Sequence, residues 1–162
     1  MQIIDFDRRY ADAFRTLNEA WISRFFTLEA KDVEILGDPQ GQIIDSGGHV
    51  FFVVVDGCAV GCVGLIPMAD GGFEIVKMAV DEASQGRGYA KALMNACIER
   101  ARSLNAPRLY LESGTPLTPA LTLYQSCGFT DLPAERRPDS PYARADVWME
   151  LKLNLPSPSG GG

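Results

Sequence analysis

Between Asp7 and Phe26 the apolar side chains Tyr10, Phe14, Leu17, Trp21, Ile22 and Phe25 recur every three or four residues. That period predicts an amphipathic helix. Ahead of it, residues 2–6 alternate enough for a short strand. A second, short helix is expected over Leu28–Leu36, stopped by Gly37, Asp38 and Pro39. The period then falls to two. His49–Val55 is a β-branched and aromatic run, Asp56-Gly57 a hairpin turn and Ala59–Pro67 a second run. A turn at Asp70-Gly71-Gly72 leads into a third strand, Gly72–Val80. Helical spacing returns with Tyr89, Leu93, Ala96, Cys97, Arg100 and Leu104, ending near Asn105-Ala106-Pro107. Arg108–Glu112 then reads as a strand, Thr118–Cys127 as a helix with Pro119 in its first turn, and Ala145–Leu153 as a last strand.

The predicted order is β-α-α-β-β-β-α-β-α-β. Antiparallel strands followed by β-α-β-α indicate an α/β (α+β) fold, with a mixed, mostly antiparallel central sheet flanked by helices. The 162 residues suit a single domain, drawn over 1–155, and no internal repeat or charge run divides it. Residues 156–162, Pro-Ser-Pro-Ser-Gly-Gly-Gly, have the composition of a flexible tail.

Charge narrows the function classes. Fifteen Lys and Arg against 21 Asp and Glu give a net charge of −6. That balance argues against a nucleic-acid groove or an anionic membrane surface. It leaves room for a small anion site built from backbone amides. No stretch reaches the roughly 18 apolar residues needed to span a bilayer. The start Met1-Gln2-Ile3-Ile4-Asp5 has neither the basic nor the apolar region of a signal peptide, so a cytoplasmic protein is expected. Cys58, Cys62, Cys97 and Cys127 read as small hydrophobes; one histidine, His49, and the absence of a C-x-x-C pair argue against a metal site.

One loop carries chemistry. Asp81-Glu-Ala-Ser-Gln85-Gly86-Arg87-Gly88-Tyr89-Ala90 joins a strand to a helix. Its small residues let backbone approach a ligand, and the first helical amides stand at the positive end of a helix dipole. Arg87 and Lys91 add charge beside the same anion. A Walker loop is excluded, because no Gly-Lys-Ser/Thr follows four spacers. Farther on, Leu121-Thr-Leu-Tyr124-Gln-Ser-Cys-Gly128-Phe129 sets a tyrosine in the last turn of a helix, with Gly128 as its left-handed cap.

With these two segments the chain resembles the GNAT superfamily of acyl-CoA N-acyltransferases over roughly residues 2–153. Gln85, Gly88 and Ala90 match its Q-x-x-G-x-A loop, and Leu123-Tyr124 to Gly128-Phe129 its L-Y-x-x-x-G-F segment. The resemblance implies acetyl-CoA as acyl donor, with no metal. It implies that backbone at Met78, Ala79 and Val80 pairs with the pantetheine and thioester carbonyl. Gln85, Gly86, Arg87, Gly88, Tyr89, Ala90 and Lys91 would hold the pyrophosphate, and Tyr124 would protonate the leaving thiolate. The chain departs from the family pattern at Leu117, where many members carry an asparagine; that polar contact would be missing here, or supplied by Thr118 or Ser113.

A base for the attacking amine is sought among carboxylates on strands near the cleft, and Glu74 and Glu112 are the two candidates. The acceptor pocket is expected from Phe25-Phe26-Thr27-Leu28-Glu29 and Pro141-Tyr142-Ala143-Arg144. The acceptor implied is a primary amine of a small molecule or amino-acid-like compound, attacking directly in a ternary complex. Two alternatives stay open: a non-catalytic acyl-CoA-binding or sensor module, and a peptide or protein N-acetyltransferase. A homodimer is also left open.

Overall fold

The computed structural model describes residues 1–153, so the tail expected at 156–162 lies outside the described residues. The strands are β1 (Gln2–Asp5), β2 (His49–Val55), β3 (Cys58–Pro67), β4 (Phe73–Val80), β5 (Arg108–Ser113), β6 (Thr130–Asp131) and β7 (Val147–Lys152). They form one sheet in the order β1-β2-β3-β4-β5-β7-β6. All neighbours are antiparallel except β4 and β5. The helices are α1 (Ala11–Phe25), α2 (Ala30–Gly37), α3 (Tyr89–Ser103) and α4 (Thr118–Ser126). Among the described residues no helix is long and apolar enough to cross a membrane.

Strand β2 shows why the sheet is covered on both faces. Val50, Phe52 and Val54 enter one core with Phe14 and Ile22 of α1 and Ile35 and Leu36 of α2. Phe51 and Val53 enter the other, with Leu93, Met94 and Cys97 of α3 and Tyr124 of α4. A strand buried on both faces reads as an unbroken apolar run. The four cysteines are free, with Cys62 and Cys97 buried in the two cores.

Two irregularities open the sheet. Across β3 and β4, Gly64 faces Val76 and Cys62 faces Ala79, so Lys77 and Met78 stand opposite the single residue Val63. This is a β-bulge, and it carries Lys77 at φ 56°. On the other edge of β4, the parallel ladder with β5 holds only Phe73 to Leu109 and Glu74 to Tyr110. β5 instead pairs with β7 along its whole length, Arg108 to Ser113. β4 and β5 therefore part toward their carboxyl ends, where ligand sites of parallel strands form.

Element edges differ from the sequence reading for local reasons. α2 starts two residues late, because the Glu29 N–H donates to Asp32 Oδ2 at 2.8 Å and makes Glu29 the cap. Past Pro39, Gln40–Ile44 make one wide turn closed by the Asp45 N–H on the Gln40 carbonyl at 2.8 Å. β6, of two residues, is too short to show a period. β7 begins at Val147, since Asp146 is drawn aside by the N–H and hydroxyl of Thr115 at 2.8 and 3.0 Å.

Candidate active site

The parting strands border a cleft of about 590 Å³, walled by α1, β4, the start of α3, the end of β5, α4 and the segment before β7. At one end stands the glycine loop. Gly86 and Gly88 have φ of 82° and 80°, and a Cβ on either would meet nothing within 4 Å. The loop thus offers bare backbone to open space. Gly88 caps α3, whose first bond there is the Ala92 N–H to the Gly88 carbonyl at 3.1 Å. The N–H groups of Tyr89, Ala90 and Lys91 precede that bond and have no partner within the helix. An anion is their natural complement.

Along the cleft floor the backbone alternates. The Asp81 N–H donates to the Val60 carbonyl of β3 at 2.8 Å. One residue back, Val80 faces the other way, toward the gap that β5 leaves, and Met78 stands in the bulge beside it. Gln85 Nε2 reaches back to the Val80 carbonyl at 3.4 Å and braces the loop against this strand.

Two carboxylates line the middle of the cleft, and their surroundings differ. Glu74 forms no hydrogen bond or ion pair among the described residues, and burial, with the nearby Glu112 charge, pushes it up to about 7. Glu112 is held at both oxygens. The Tyr110 hydroxyl donates to Oε2 at 2.6 Å and the Ser140 hydroxyl to Oε1 at 2.5 Å. Tyr124, 9 % exposed, also lines the cleft, and burial raises its phenol to about 12.

The far wall is an ion cluster around Asp32, which is fully buried. Arg144 donates to both Asp32 oxygens at 2.8 and 2.7 Å, and Lys77 Nζ to Oδ1 at 2.5 Å. Lys77 also donates to the Tyr142 hydroxyl at 2.9 Å, and both cations lie 4.4 Å from the Tyr142 ring centre. Burial alone would raise the Asp32 carboxyl, but the hydrogen bonds from Arg144, Lys77 and the Glu29 amide outweigh it and hold it at about 2. Burial lowers the Lys77 ammonium against the pull of Asp32. Glu29 stands behind the wall, accepting from the Ala143 N–H at 3.0 Å. Beside it the Phe26 ring sits over Gly114, where a Cβ would come within 2.9 Å of Phe26 Cζ.

Of the residues singled out from the sequence, the structure brings Glu74, Met78, Ala79, Val80, Gln85, Gly86, Gly88, Tyr89, Ala90, Lys91, Glu112 and Tyr124 to this one cleft. Arg87 is exposed and does not contribute to the wall. Phe25, Phe26, Tyr142 and Arg144 of the expected acceptor segments line it, as do Leu117 and Ser113, while Thr118 does not. Sequence reasoning missed Asp32, Lys77 and Asn18. The one sequence signal that could have found any of them is the three-residue spacing of Glu29 and Asp32, which is that of a capping box. Among the described residues no group of three His, Cys, Asp or Glu side chains could hold a metal ion.

The profile of the family described as Acetyltransferase (GNAT) family matches residues 10–129. The uncharacterized N-acetyltransferase YvbK of Bacillus subtilis (strain 168) is 32% identical over 104 residues, covering 62% of this chain and 67% of its own. The uncharacterized N-acetyltransferase YjgM of Escherichia coli (strain K12) is 35% identical over 92 residues, 54% of this chain; the match spans only about half of that relative, 55%. Among solved structures, a GNAT-family acetyltransferase from Staphylococcus aureus Mu50 superposes with a TM-score of 0.86 at 19% identity, covering 94% of this chain and 99% of that one. A Bacillus subtilis acetyltransferase in complex with CoA superposes at 0.71 and 21% identity, covering 94% and 99%. At such identities these structures speak to the fold.

Proposed function

The chain belongs to the acetyltransferase (GNAT) family and is an acetyltransferase; from that premise we propose that it transfers the acetyl group of acetyl-CoA directly to a primary amine of a small molecule. The observation that carries this reading is one cleft holding both an amide-lined anion site and Glu74, a carboxylate with no hydrogen bond or ion pair among the described residues. The residues present fit the donor. The free amides at Tyr89–Lys91 and the open backbone at Gly86 and Gly88 suit a pyrophosphate, with the Lys91 charge nearby. The backbone of Met78 and Val80 suits the amide-bearing arm and the thioester. A cytoplasmic setting belongs to the same proposal.

Each residue then has a distinct task. Glu74 takes a proton from the acceptor ammonium, and its value near neutrality suits a base at work around pH 7. Glu112, with both oxygens already engaged, is the poorer base and orients the acceptor instead. An N–H of Met78 or Val80 faces the oxygen that gains negative charge as the amine attacks. Tyr124 gives its proton to the departing thiolate. A thiol near ~8.5 is a stronger acid than this phenol, so the transfer is uphill and the expected gain moderate.

Two predictions test the donor side. In Gly88→Val, a β-branched residue is forced to φ 80° with its side chain in the space meant for the ligand. CoA binding, followed by calorimetry, should weaken by roughly tenfold or more. An unchanged dissociation constant would remove the loop from the site.

Tyr124→Phe should lower kcat by ~10²-fold or somewhat less, with CoA affinity within a few fold. Stability should hardly change, because no hydrogen bond from the Tyr124 hydroxyl to a described residue is lost. With the phenol near 12, no basic limb in the rate profile belongs to it. A kcat within twofold of wild type would leave solvent as the proton donor.

A further inference from the structure

We infer that the acceptor carries a second cationic group and no carboxylate, with the reacting amine at Glu74 and the second ammonium at Glu112. This rests on the acetyl-transfer reading and specifies its substrate class.

The parallel register pairs Glu74 with Tyr110. Glu112, two residues beyond Tyr110, therefore projects on the same sheet face, diagonally from Glu74, and both line the cleft. Neither has a cation within ion-pair distance among the described residues. The cations lining this half of the cleft are Lys77 and Arg144, and both are turned to Asp32; Lys31, whose charge also reaches Glu74, is paired with Glu34 at 3.4 Å. Five carboxylates, Glu29, Asp32, Glu34, Glu74 and Glu112, thus stand against three cations, Lys31, Lys77 and Arg144, and the surplus lies at the two that border open space.

The neutral groups point the same way. The hydroxyl protons of Tyr110 and Ser140 are spent on Glu112. Asn18, 1 % exposed, lines the cleft, and its Nδ2 donates to the Phe14 carbonyl at 2.9 Å and Cys62 Sγ at 3.3 Å. Asn18 thus gives the cleft no donor, and its Oδ1 is buried with no partner among the described residues. The unspent hydroxyls of this wall are those of Ser113 and Tyr142, the latter accepting from Lys77, and both are uncharged. A substrate carboxylate would meet Glu112 with no free cation to offset the repulsion, whereas a second ammonium gains charge-assisted hydrogen bonds.

The test is thiol release from saturating acetyl-CoA with three acceptors of equal reach: 1,4-diaminobutane, n-butylamine and 4-aminobutyrate. The diamine should exceed butylamine in kcat/KM by roughly tenfold or more, beyond the twofold from its two amines, with the amino acid slowest. In Glu112→Gln the ratio of diamine to butylamine should collapse to within about threefold. Thiol release with butylamine or 4-aminobutyrate within about threefold of the diamine in the wild type overturns the inference and leaves acetyl transfer standing. Absence of thiol release from all three counts against the reaction itself. Calorimetric binding of the same three amines to the CoA-loaded protein then decides: the same order sustains a dicationic ligand, and equal affinities overturn it.

Discussion

Asp32→Ala is expected to destabilise the fold by about 3–5 kcal/mol at pH 7, the usual cost of removing one partner from a buried ion cluster. Asp32 is fully buried and accepts from Arg144 twice, from Lys77 and from the Glu29 amide. Without it, two cations with side chains 4% and 17% exposed are left facing each other. The bonds also tie together three distant segments: α2, the β4 bulge and the loop before β7. Acid should reproduce part of the effect. The Asp32 carboxyl sits at about 2 when folded, against an ordinary 3.8. Its folded value is depressed, so its contribution is present above about 4 and lost as the pH falls toward 2. The shift amounts to about 2 kcal/mol. Urea unfolding at pH 7 and pH 3 measures both: the gap between wild type and variant should be wide at pH 7 and narrower at pH 3. Adding Lys77→Met should recover part of the loss, because one unpaired cation is gone. A variant within 1 kcal/mol of wild type at pH 7 would show that the cluster does not hold the wall together.

That cluster marks the limit of what the chain reveals by itself. The helices and strands were legible because each presents a period to a core, and the glycine loop because its conformation demands small residues. Asp32 and Lys77 are 45 positions apart, and Asp32 and Arg144 are 112 apart. No local period records such a partnership, and Asp32 looks like a capping acid on a short helix. Lys77 falls in a strand as one polar residue among apolar ones. Its turn toward α2 comes from the bulge, which arises from the register with β3 and not from any nearby residue type. Phe25 ends the apolar stripe of α1 and is 45% exposed, its ring tilted against Trp21 at 4.9 Å with Arg24 beside it, at the cleft wall expected of the acceptor segment. Glu74 and Glu112 could both be picked out as strand carboxylates. What separates them is Ser140 and Tyr110 on Glu112, and Ser140 comes from a segment 28 residues on, with no regular structure to announce it.

Glu74→Gln should lower kcat/KM at pH 7 by ~10²–10³-fold, within the usual range for a general base. The amide keeps the shape of the carboxyl but cannot take the proton. Wild type should show an acid limb inflecting near pH 7, because Glu74 must be ionised to act and sits at about 7. In the variant that inflection should vanish, leaving a rise with pH that follows the free amine. Glu112→Gln is the informative control. Burial is the first cause of the raised Glu74 value and the Glu112 charge the second, so the inflection should persist but move to lower pH. Stability supplies an independent readout. The Glu74 carboxyl rises from 4.5 to about 7 on folding. Its stabilising contribution is full below about 4.5 and lost as the pH rises through 7, where burying the charge becomes a cost. Glutamine never bears that charge. Glu74→Gln should therefore melt higher than wild type at pH 8 and no higher at pH 4, while being the slower enzyme at pH 8, where the wild-type carboxylate is ionised. A gain in stability paired with a loss of rate is what a group retained for its chemistry would give. A pH profile for Glu74→Gln that matches wild type, inflection included, would mean the amine loses its proton to solvent.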